Sequence, residues 1–194
     1  MYRKTIKPVL DRLLGITCFV LAIPFLCITA VLVYLFISHK VVFVQERIGY
    51  RERPFKLYKF RSMRSDGYYA AENESIPRVG RFIRKFGLDE LPQLLNVIKG
   101  EMSFVGPRPL LPEYLALYTL EERKRHHVVP GITGLAQVSG RNEIEWKKRF
   151  TFDLQYVQEI SFGLDLRILV KTALVLMKGS DSMPPQKFEG HTSE

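Results

Sequence analysis

Asp89 and Glu90 stand side by side in Leu88-Asp89-Glu90-Leu91-Pro92-Gln93-Leu94, just after the basic run Arg78, Arg81, Arg84 and Lys85. Carboxylates held among cations suit a divalent metal and a phosphate-bearing substrate. On a helix the two side chains point about 100° apart. They would then do different work, one attacking phosphorus while the other holds a metal. Neighbouring anions repel, which raises a pKa and spoils a nucleophile. A bound Mg²⁺ relieves that repulsion and clamps phosphate oxygens. The plainer alternative is that two acids in a first turn offset the helix dipole.

Phe104-Val105-Gly106-Pro107-Arg108-Pro109 is a second such place. Its prolines stiffen the backbone around Arg108, and a rigidly held guanidinium is a good bidentate phosphate ligand. A simple loop with an exposed arginine is the alternative. Lys59 and Arg61 flank Phe60 and share a face of an extended segment, as phosphate ligands or as a solvated edge. Arg141, in Gly140-Arg141-Asn142, could face a nucleotide. His126-His127 lacks the spacing of a shared metal site and reads as structural. No Gly-x-x-x-x-Gly-Lys-Ser/Thr loop and no Gly-x-Gly-x-x-Gly run occurs, so ATPase and dinucleotide readings lack support. No helix-turn-helix or RNA-binding signature is present either.

The chain has 194 residues, a net charge of +9 and 46% hydrophobic residues. That length fits one domain with an added membrane element, and the charge calls for an anionic partner. The apolar residues crowd before position 40. Cys18 and Cys27 lie inside that stretch without ligand-like partners, which argues against a disulfide framework or a zinc site. Leu13 to Ile37 would make a straight helix of roughly 37 Å against a hydrocarbon core of about 30 Å, so a full span is possible. It is too long for a signal-peptide core, and no small-x-small cleavage site comes after it. Pro24, near its middle, calls for a kink. Both flanks are basic: Arg3, Lys4, Lys7 and Arg12 before, Lys40, Arg47, Arg51, Arg53 and Lys56 after. A helix that bends at Pro24 and returns puts both flanks on one side; a proline-kinked full span remains open.

Periodicity marks the elements that must carry the chemical residues. Residues 41–44 and 55–60 read as strands, and 64–77 as a loop. Val79 to Phe86 reads as an amphipathic basic helix, suited to an anionic membrane surface or to an ordinary protein surface. Leu88 to Lys99 reads as one helix that buries Leu91, Leu94, Leu95 and Ile98 and stops at Gly100. Pro112 to His126 and 145–160 read as helices, and 130–134 as a turn. Phe162 to Lys178 is an apolar segment, buried or half-sunk in the interface. Gly179 to Glu194 reads as a flexible tail.

The run Lys56-Leu57-Tyr58-Lys59-Phe60-Arg61-Ser62-Met63, then Arg78-Val79-Gly80-Arg81-Phe82-Ile83-Arg84, Leu88 to Gln93, Asn96 to Ser103, Gly106-Pro107-Arg108-Pro109 and Pro130 to Gln137 occur in this order. Together, over residues 1 to about 178, they resemble the bacterial sugar transferase family, the monotopic polyprenyl-phosphate phosphoglycosyl transferases, and most of all its small PglC-like members. The resemblance implies transfer of a sugar phosphate from a UDP-sugar to polyprenyl (undecaprenyl) phosphate, with release of UMP, as the first membrane step of glycan assembly. It implies Asp89 as a nucleophile forming a covalent phosphosugar, Glu90 as the Mg²⁺ ligand, and Lys59, Arg84, Arg108 and Arg141 as substrate-binding cations. It implies an α+β, mostly helical fold. A re-entrant membrane helix over 1–38, bent at Pro24, would precede a catalytic domain over 39–178 with interfacial helices and a small β element, and a flexible tail over 179–194. The site would lie on the cytoplasmic face of the bacterial inner membrane, with lipid and a possible second copy of the chain as partners and no nucleic acid. Departures from the family pattern are Ile23 where serine is frequent, Glu101 for aspartate, Val129 for arginine and Ser139 for asparagine. A non-catalytic basic adaptor binding acidic lipid or nucleic acid would also explain the charge and the apolar segment, but not a Pro-Arg-Pro loop beside an acidic pair.

Overall fold

Lys7–Phe36 forms one long helix, α1, entered through a wider π turn at Tyr2–Ile6. The computed structural model describes residues 1–64, 76–140 and 144–177, together with Phe188 and Gly190. Helical structure continues through Pro24; one proline removes a single donor and crowds a single carbonyl, and the turns on either side carry the helix past it. Lys7, Gly15, Ala22, Thr29 and Val33 are buried, and their spacing places them on one stripe. Leu13, Leu14, Val20, Leu21, Phe25, Ile28, Val31 and Leu35 are exposed on the rest of the surface. Tyr2–Phe36, 35 residues, is long and apolar enough to cross a membrane.

The stripe is fastened at three places. Lys7 Nζ donates to Asp165 Oδ2 at 2.7 Å, and the Tyr2 hydroxyl donates to the same oxygen at 2.6 Å. Midway, Gly15 lets α1 close on its neighbour; a Cβ there would sit 3.2 Å from Val97 and 3.3 Å from Ile98. At the far end Val33 packs with Phe60 and Ile83.

Val42–Ile48 (β1) and Pro54–Phe60 (β2) pair antiparallel, Val42 opposite Phe60 and Ile48 opposite Pro54. The expected strands are both present, the first four residues longer at its end. At the hairpin tip Arg51 and Glu52 have φ of 54° and 59°, a conformation that costs about 1 kcal/mol for each residue bearing a Cβ. Glu52 is held there by Arg123 at 3.0 Å. Arg78–Lys85 forms α2. Ile83 is buried, but Phe82 and Phe86 face outward as a ring pair 4.9 Å apart. Of the expected loop over 64–77, residues 65–75 lie outside the described residues.

Three expectations need correction. The single helix over Leu88 to Lys99 is a 3₁₀ helix, Leu88–Gln93, and then α3, Leu94–Lys99. The tighter first half, which contains Pro92, shifts the phase of the turns after it. Asn96 and Val97 are therefore buried while Leu95 is exposed. Gly100, at φ 78°, does end the helix. The helix over Pro112 to His126 is three short pieces: 3₁₀ turns Pro112–Leu117 and Lys124–His127 around α4, Leu120–Arg123. Thr119 restarts the chain as a cap. Its hydroxyl accepts from the Glu122 N–H at 3.2 Å while Glu122 accepts from the Thr119 N–H at 2.8 Å, the reciprocal pattern of a capping box. Finally, Gly131–Thr133 within the expected turn is a strand, β4, lying parallel to β3, Ser103–Val105.

Leu135–Ser139 (α5), Trp146–Glu159 (α6) and Phe162–Met177 (α7) complete the fold. Val105, Val128, Tyr156, Val157 and Ile168 pack into one core where these meet β3. Phe162, Leu166, Val170 and Leu174 face outward from α7. A second, aromatic core holds Tyr114, Tyr118, Phe150 and Phe188. Phe188 falls in the segment expected to be a flexible tail, yet only 3% of it is exposed.

Phe188→Ala is expected to lower stability by about 3 kcal/mol, the usual cost of emptying an aromatic site; an unchanged melting temperature would show that the ring contributes nothing. His126 is 5% exposed, its Nε2 unpartnered. Burial first, and the charge of Arg125 second, hold its imidazole down at about 3. The folded protein keeps this group neutral while the unfolded chain protonates near 6.5, so its stability is lost as pH falls through the window from about 6.5 toward about 3. Melting of wild type and His126→Asn at pH 7 and pH 5 should show a wild-type loss of about 2 kcal/mol that the variant lacks.

Candidate active site

The Arg108 loop is held by its own carbonyls. Four in succession accept a hydrogen bond: Pro107 from the Gly131 N–H at 3.0 Å, Arg108 from Arg125 Nη2 at 2.8 Å, Pro109 from Arg47 Nη1 at 3.4 Å and Leu110 from the Ile48 N–H at 3.0 Å. Prolines contribute no donors, so fixing the acceptors fixes the loop. Arg125 is buried and pairs with Asp153 Oδ2 through Nη2 at 2.7 Å and Nε at 3.0 Å. Its guanidinium lies 5.8 Å from the Tyr118 ring and 5.7 Å from that of Phe150, so the aromatic core supports the loop from below. β4 approaches so closely that a Cβ on Gly131 would stand 2.1 Å from the Gly106 nitrogen. No side chain fits there.

Opposite, Gly87 turns the chain at φ 66° out of α2 and into the 3₁₀ helix whose first turn carries Asp89 and Glu90. Glu90 Oε1 accepts from Lys59 Nζ at 3.1 Å and from Arg108 Nη2 at 3.2 Å. Strand, helix and loop therefore meet at one oxygen. Lys59 is positioned because Asn96, wholly buried, ties α3 to β2. Its Nδ2 donates to the Lys56 carbonyl at 2.7 Å and its Oδ1 accepts from the Tyr58 N–H at 3.3 Å. Glu101 accepts from the same Nδ2 at 2.7 Å, which gives the glutamate at that departure from the family pattern a structural role.

The two carboxylates are driven apart in acidity. Burial would raise Glu90, but Lys59 and then Arg108 outweigh it and hold the group at about 2. Burial raises Asp89 to about 6, and the negative charge of Glu90 adds to this; Lys59 and Arg84 oppose it. Glu90 is thus a fixed anion. Asp89 is a basic carboxylate, ionised at neutral pH, with two cations near it.

Lys59, Arg84, Arg108, Asp89 and Glu90 are brought together; Arg141 lies outside the described residues. Arg61 is turned away, its Nε donating to the Lys40 carbonyl at 3.0 Å. Asn96, Arg125 and Asp153 escaped sequence reasoning. A lone asparagine inside the apolar run Leu94-Leu95-Asn96-Val97-Ile98 was a usable signal. Nothing local marks Arg125 within its basic run. Among the described residues no cluster of three or more His, Cys, Asp or Glu side chains could hold a metal alone. Mg²⁺ needs no such cage, because one or two carboxylates plus phosphate and water oxygens satisfy it. Glu90 fits that role: Oε1 is taken by two cations, and Oε2 has no protein partner among the described residues.

Residues 2–179 match the family model described as bacterial sugar transferase. The chain belongs to the bacterial sugar transferase family. It is 48% identical over 175 residues to the uncharacterized sugar transferase EpsL of Bacillus subtilis, covering 84% of this chain and 85% of that one. It is 40% identical over 158 residues to the undecaprenyl-phosphate galactose phosphotransferase of Salmonella typhimurium, and 41% identical over 167 residues to the undecaprenyl-phosphate glucose phosphotransferase of Komagataeibacter xylinus. Those alignments cover 71% and 77% of this chain but 33% and 31% of the longer relatives. The family consists of membrane-associated sugar transferases, which accords with the apolar outer face of α1 in this member.

In this sugar transferase Asp153→Ala would leave the Arg125 guanidinium buried without its counter-charge. A loss of about 3 kcal/mol in stability is expected, with slower turnover because the Arg108 carbonyl loses a fixed partner. Unchanged melting and unchanged turnover would remove Arg125 from the support of the loop.

Proposed function

We propose that this sugar transferase moves a sugar phosphate from a UDP-sugar to a polyprenyl phosphate and releases UMP. The observation that carries this reading is the pair of unequal carboxylates, Asp89 basic and Glu90 held as an anion by Lys59 and Arg108. The names of the Salmonella and Komagataeibacter relatives support the lipid acceptor.

In the first displacement an Asp89 oxygen attacks the sugar-bearing phosphorus. The bond from that phosphorus to the bridging anhydride oxygen breaks, and UMP leaves with the electron pair. In the second, a phosphate oxygen of the polyprenyl phosphate attacks the same phosphorus. The phosphorus–Asp89 bond breaks, and the carboxylate is restored. Splitting the transfer lets one site serve two chemically similar phosphates in turn. Lys59, Arg84 and Arg108 stabilise charge on the equatorial oxygens and orient the phosphate for in-line attack. Mg²⁺, bound by Glu90, would add charge neutralisation at the phosphates. Arg141 is proposed as a nucleotide ligand.

The membrane arrangement belongs to the same proposal. The stripe on α1 meets the rest of the protein from Lys7 to Val33. A helix of 30 residues would reach about 45 Å if straight, more than the hydrocarbon thickness. Crossing the bilayer would carry the contacts toward one end into lipid or beyond it. A re-entrant path, entering and leaving on the cytoplasmic side with Pro24 at its deepest part, keeps them all.

Wild type with UDP-sugar, polyprenyl phosphate and Mg²⁺ is expected to release UMP. Asp89→Asn should remain folded and lose activity by at least a thousandfold, and chelation should stop the reaction. Mass spectrometry of donor-treated enzyme should show a sugar-phosphate adduct on Asp89; its absence while product forms would sink the nucleophile. For the topology, single cysteines at Tyr2 and Ser38, in a background lacking Cys18 and Cys27, should both react from the cytoplasmic side. Labelling from opposite sides would mean a full span.

A further inference from the structure

Nothing in the sequence marks Arg47 for the site, yet it lines a recess of about 20 Å³ with Leu57, Lys59, Gln93, Arg108, Pro109 and Gly131. That is room for about one oxygen atom. Gln45 and Arg47 fall on the same face of β1 by alternation. The Gln45 Oε1 accepts from Arg47 Nη2 at 2.7 Å, and the Pro109 carbonyl accepts from Nη1 at a long 3.4 Å. Arg47 Nε is buried without a partner. Among the described residues no carboxylate pairs with Arg47. Three cations, Arg47, Lys59 and Arg108, therefore line one small space, and the carboxylate that Lys59 and Arg108 contact, Glu90, is shared between those two. Burial and the Arg108 charge disfavour this guanidinium, and Glu113 and Glu90 act on it only without an ion pair. Its hydrogen bonds go to a neutral amide and a carbonyl, so an anion joining it directly would be favourable. A phosphate oxygen would accept from the fork and offset the repulsion.

We propose that Arg47, with Arg108 and Lys59, forms the subsite for the nucleotide-side phosphate of the donor, the phosphate that departs. This rests on the donor being a nucleoside diphosphate sugar, as proposed above. The order of the groups supports it. Asp89 is not among the residues lining the recess. Its neighbouring cations are Lys59 and Arg84, whereas Arg47 lies against Arg108. A phosphorus within reach of Asp89 places its bridging oxygen and the second phosphate toward Arg108 and Arg47. Negative charge that grows on the leaving oxygen then meets two guanidiniums.

The competing role for Arg47 is a structural clamp on the Pro109 carbonyl. Melting and binding separate the two. The full chain in nanodiscs would be titrated with UDP and with inorganic pyrophosphate in Mg²⁺ by calorimetry, as wild type, Arg47→Met and Arg47→Lys, and each protein melted without ligand. UDP affinity should fall at least tenfold in Arg47→Met and less in Arg47→Lys, while the ligand-free melting temperature of Arg47→Met should equal or exceed that of wild type, because a like-charge contact and an unpartnered donor are gone. Undiminished UDP affinity overturns the subsite. So does a lowered melting temperature, whatever the affinity, since it marks a clamp. Wild type that binds neither probe overturns it too. Wild type that binds UDP but releases no UMP from any UDP-sugar overturns the proposed reaction and leaves the subsite standing.

Discussion

One carboxylate oxygen, Glu90 Oε1, joins three parts of the chain that are distant in sequence. Lys59 reaches it from the β1–β2 hairpin and Arg108 from the loop after β3, while Glu90 itself stands on the 3₁₀ helix. These positions are 31 and 18 residues from Glu90 in sequence, so no local rule brings them together. The hairpin is tied to α3 by Asn96, and the loop is tied to β1, β4 and Arg125 through its carbonyls. Each tie uses backbone groups that would otherwise be unsatisfied on burial. Ordinary hydrogen-bond satisfaction therefore holds the site together, and its charges add little to stability at partly exposed positions.

The same meeting point sorts the acids. Without Lys59 and Arg108, two adjacent carboxylates would repel and share their protons. Burial first and the Glu90 charge second raise Asp89, while Lys59 and Arg108 outweigh burial on Glu90, so Asp89 becomes the more basic of the two. Chemical inequality arises here from geometry between sequence neighbours. A first-turn pair that merely offset the helix dipole would not collect two cations on one oxygen from distant elements.

What was legible in the sequence was whatever a short window contains. The alternation at 55–60, the apolar run before residue 40 and the Gly100 stop all became the elements expected. The mismatches lie where a second signal overrides periodicity. Leu91, Leu94 and Leu95 look like one α-helical face, but the 3₁₀ turn holding Pro92 rotates Leu95 outward. The capping box at Thr119 and Glu122 is visible as a Thr-x-x-Glu spacing and breaks what composition joins. Gly131 to Thr133 looks like a turn because its partner strand lies 28 residues earlier, opposite Ser103. Arg47 and Arg125 have no local mark at all; each matters through a carbonyl or a charge supplied by the Pro-Arg-Pro loop.

On the proposed membrane arrangement, α2 would set how deep the site lies. Along this one short helix Ile83 packs inward beneath Val33 of α1, and Phe82 and Phe86 face outward. Arg84, between them in sequence, is close enough for its charge to lower the pKa of Asp89. An apolar pair on the outside fixes how far α2 can sink into an interface, since burying rings is favourable and burying Arg81 or Lys85 is not. On the proposed reaction, Phe82 and Phe86 would face the interface while Arg84, between them, stays beside Asp89.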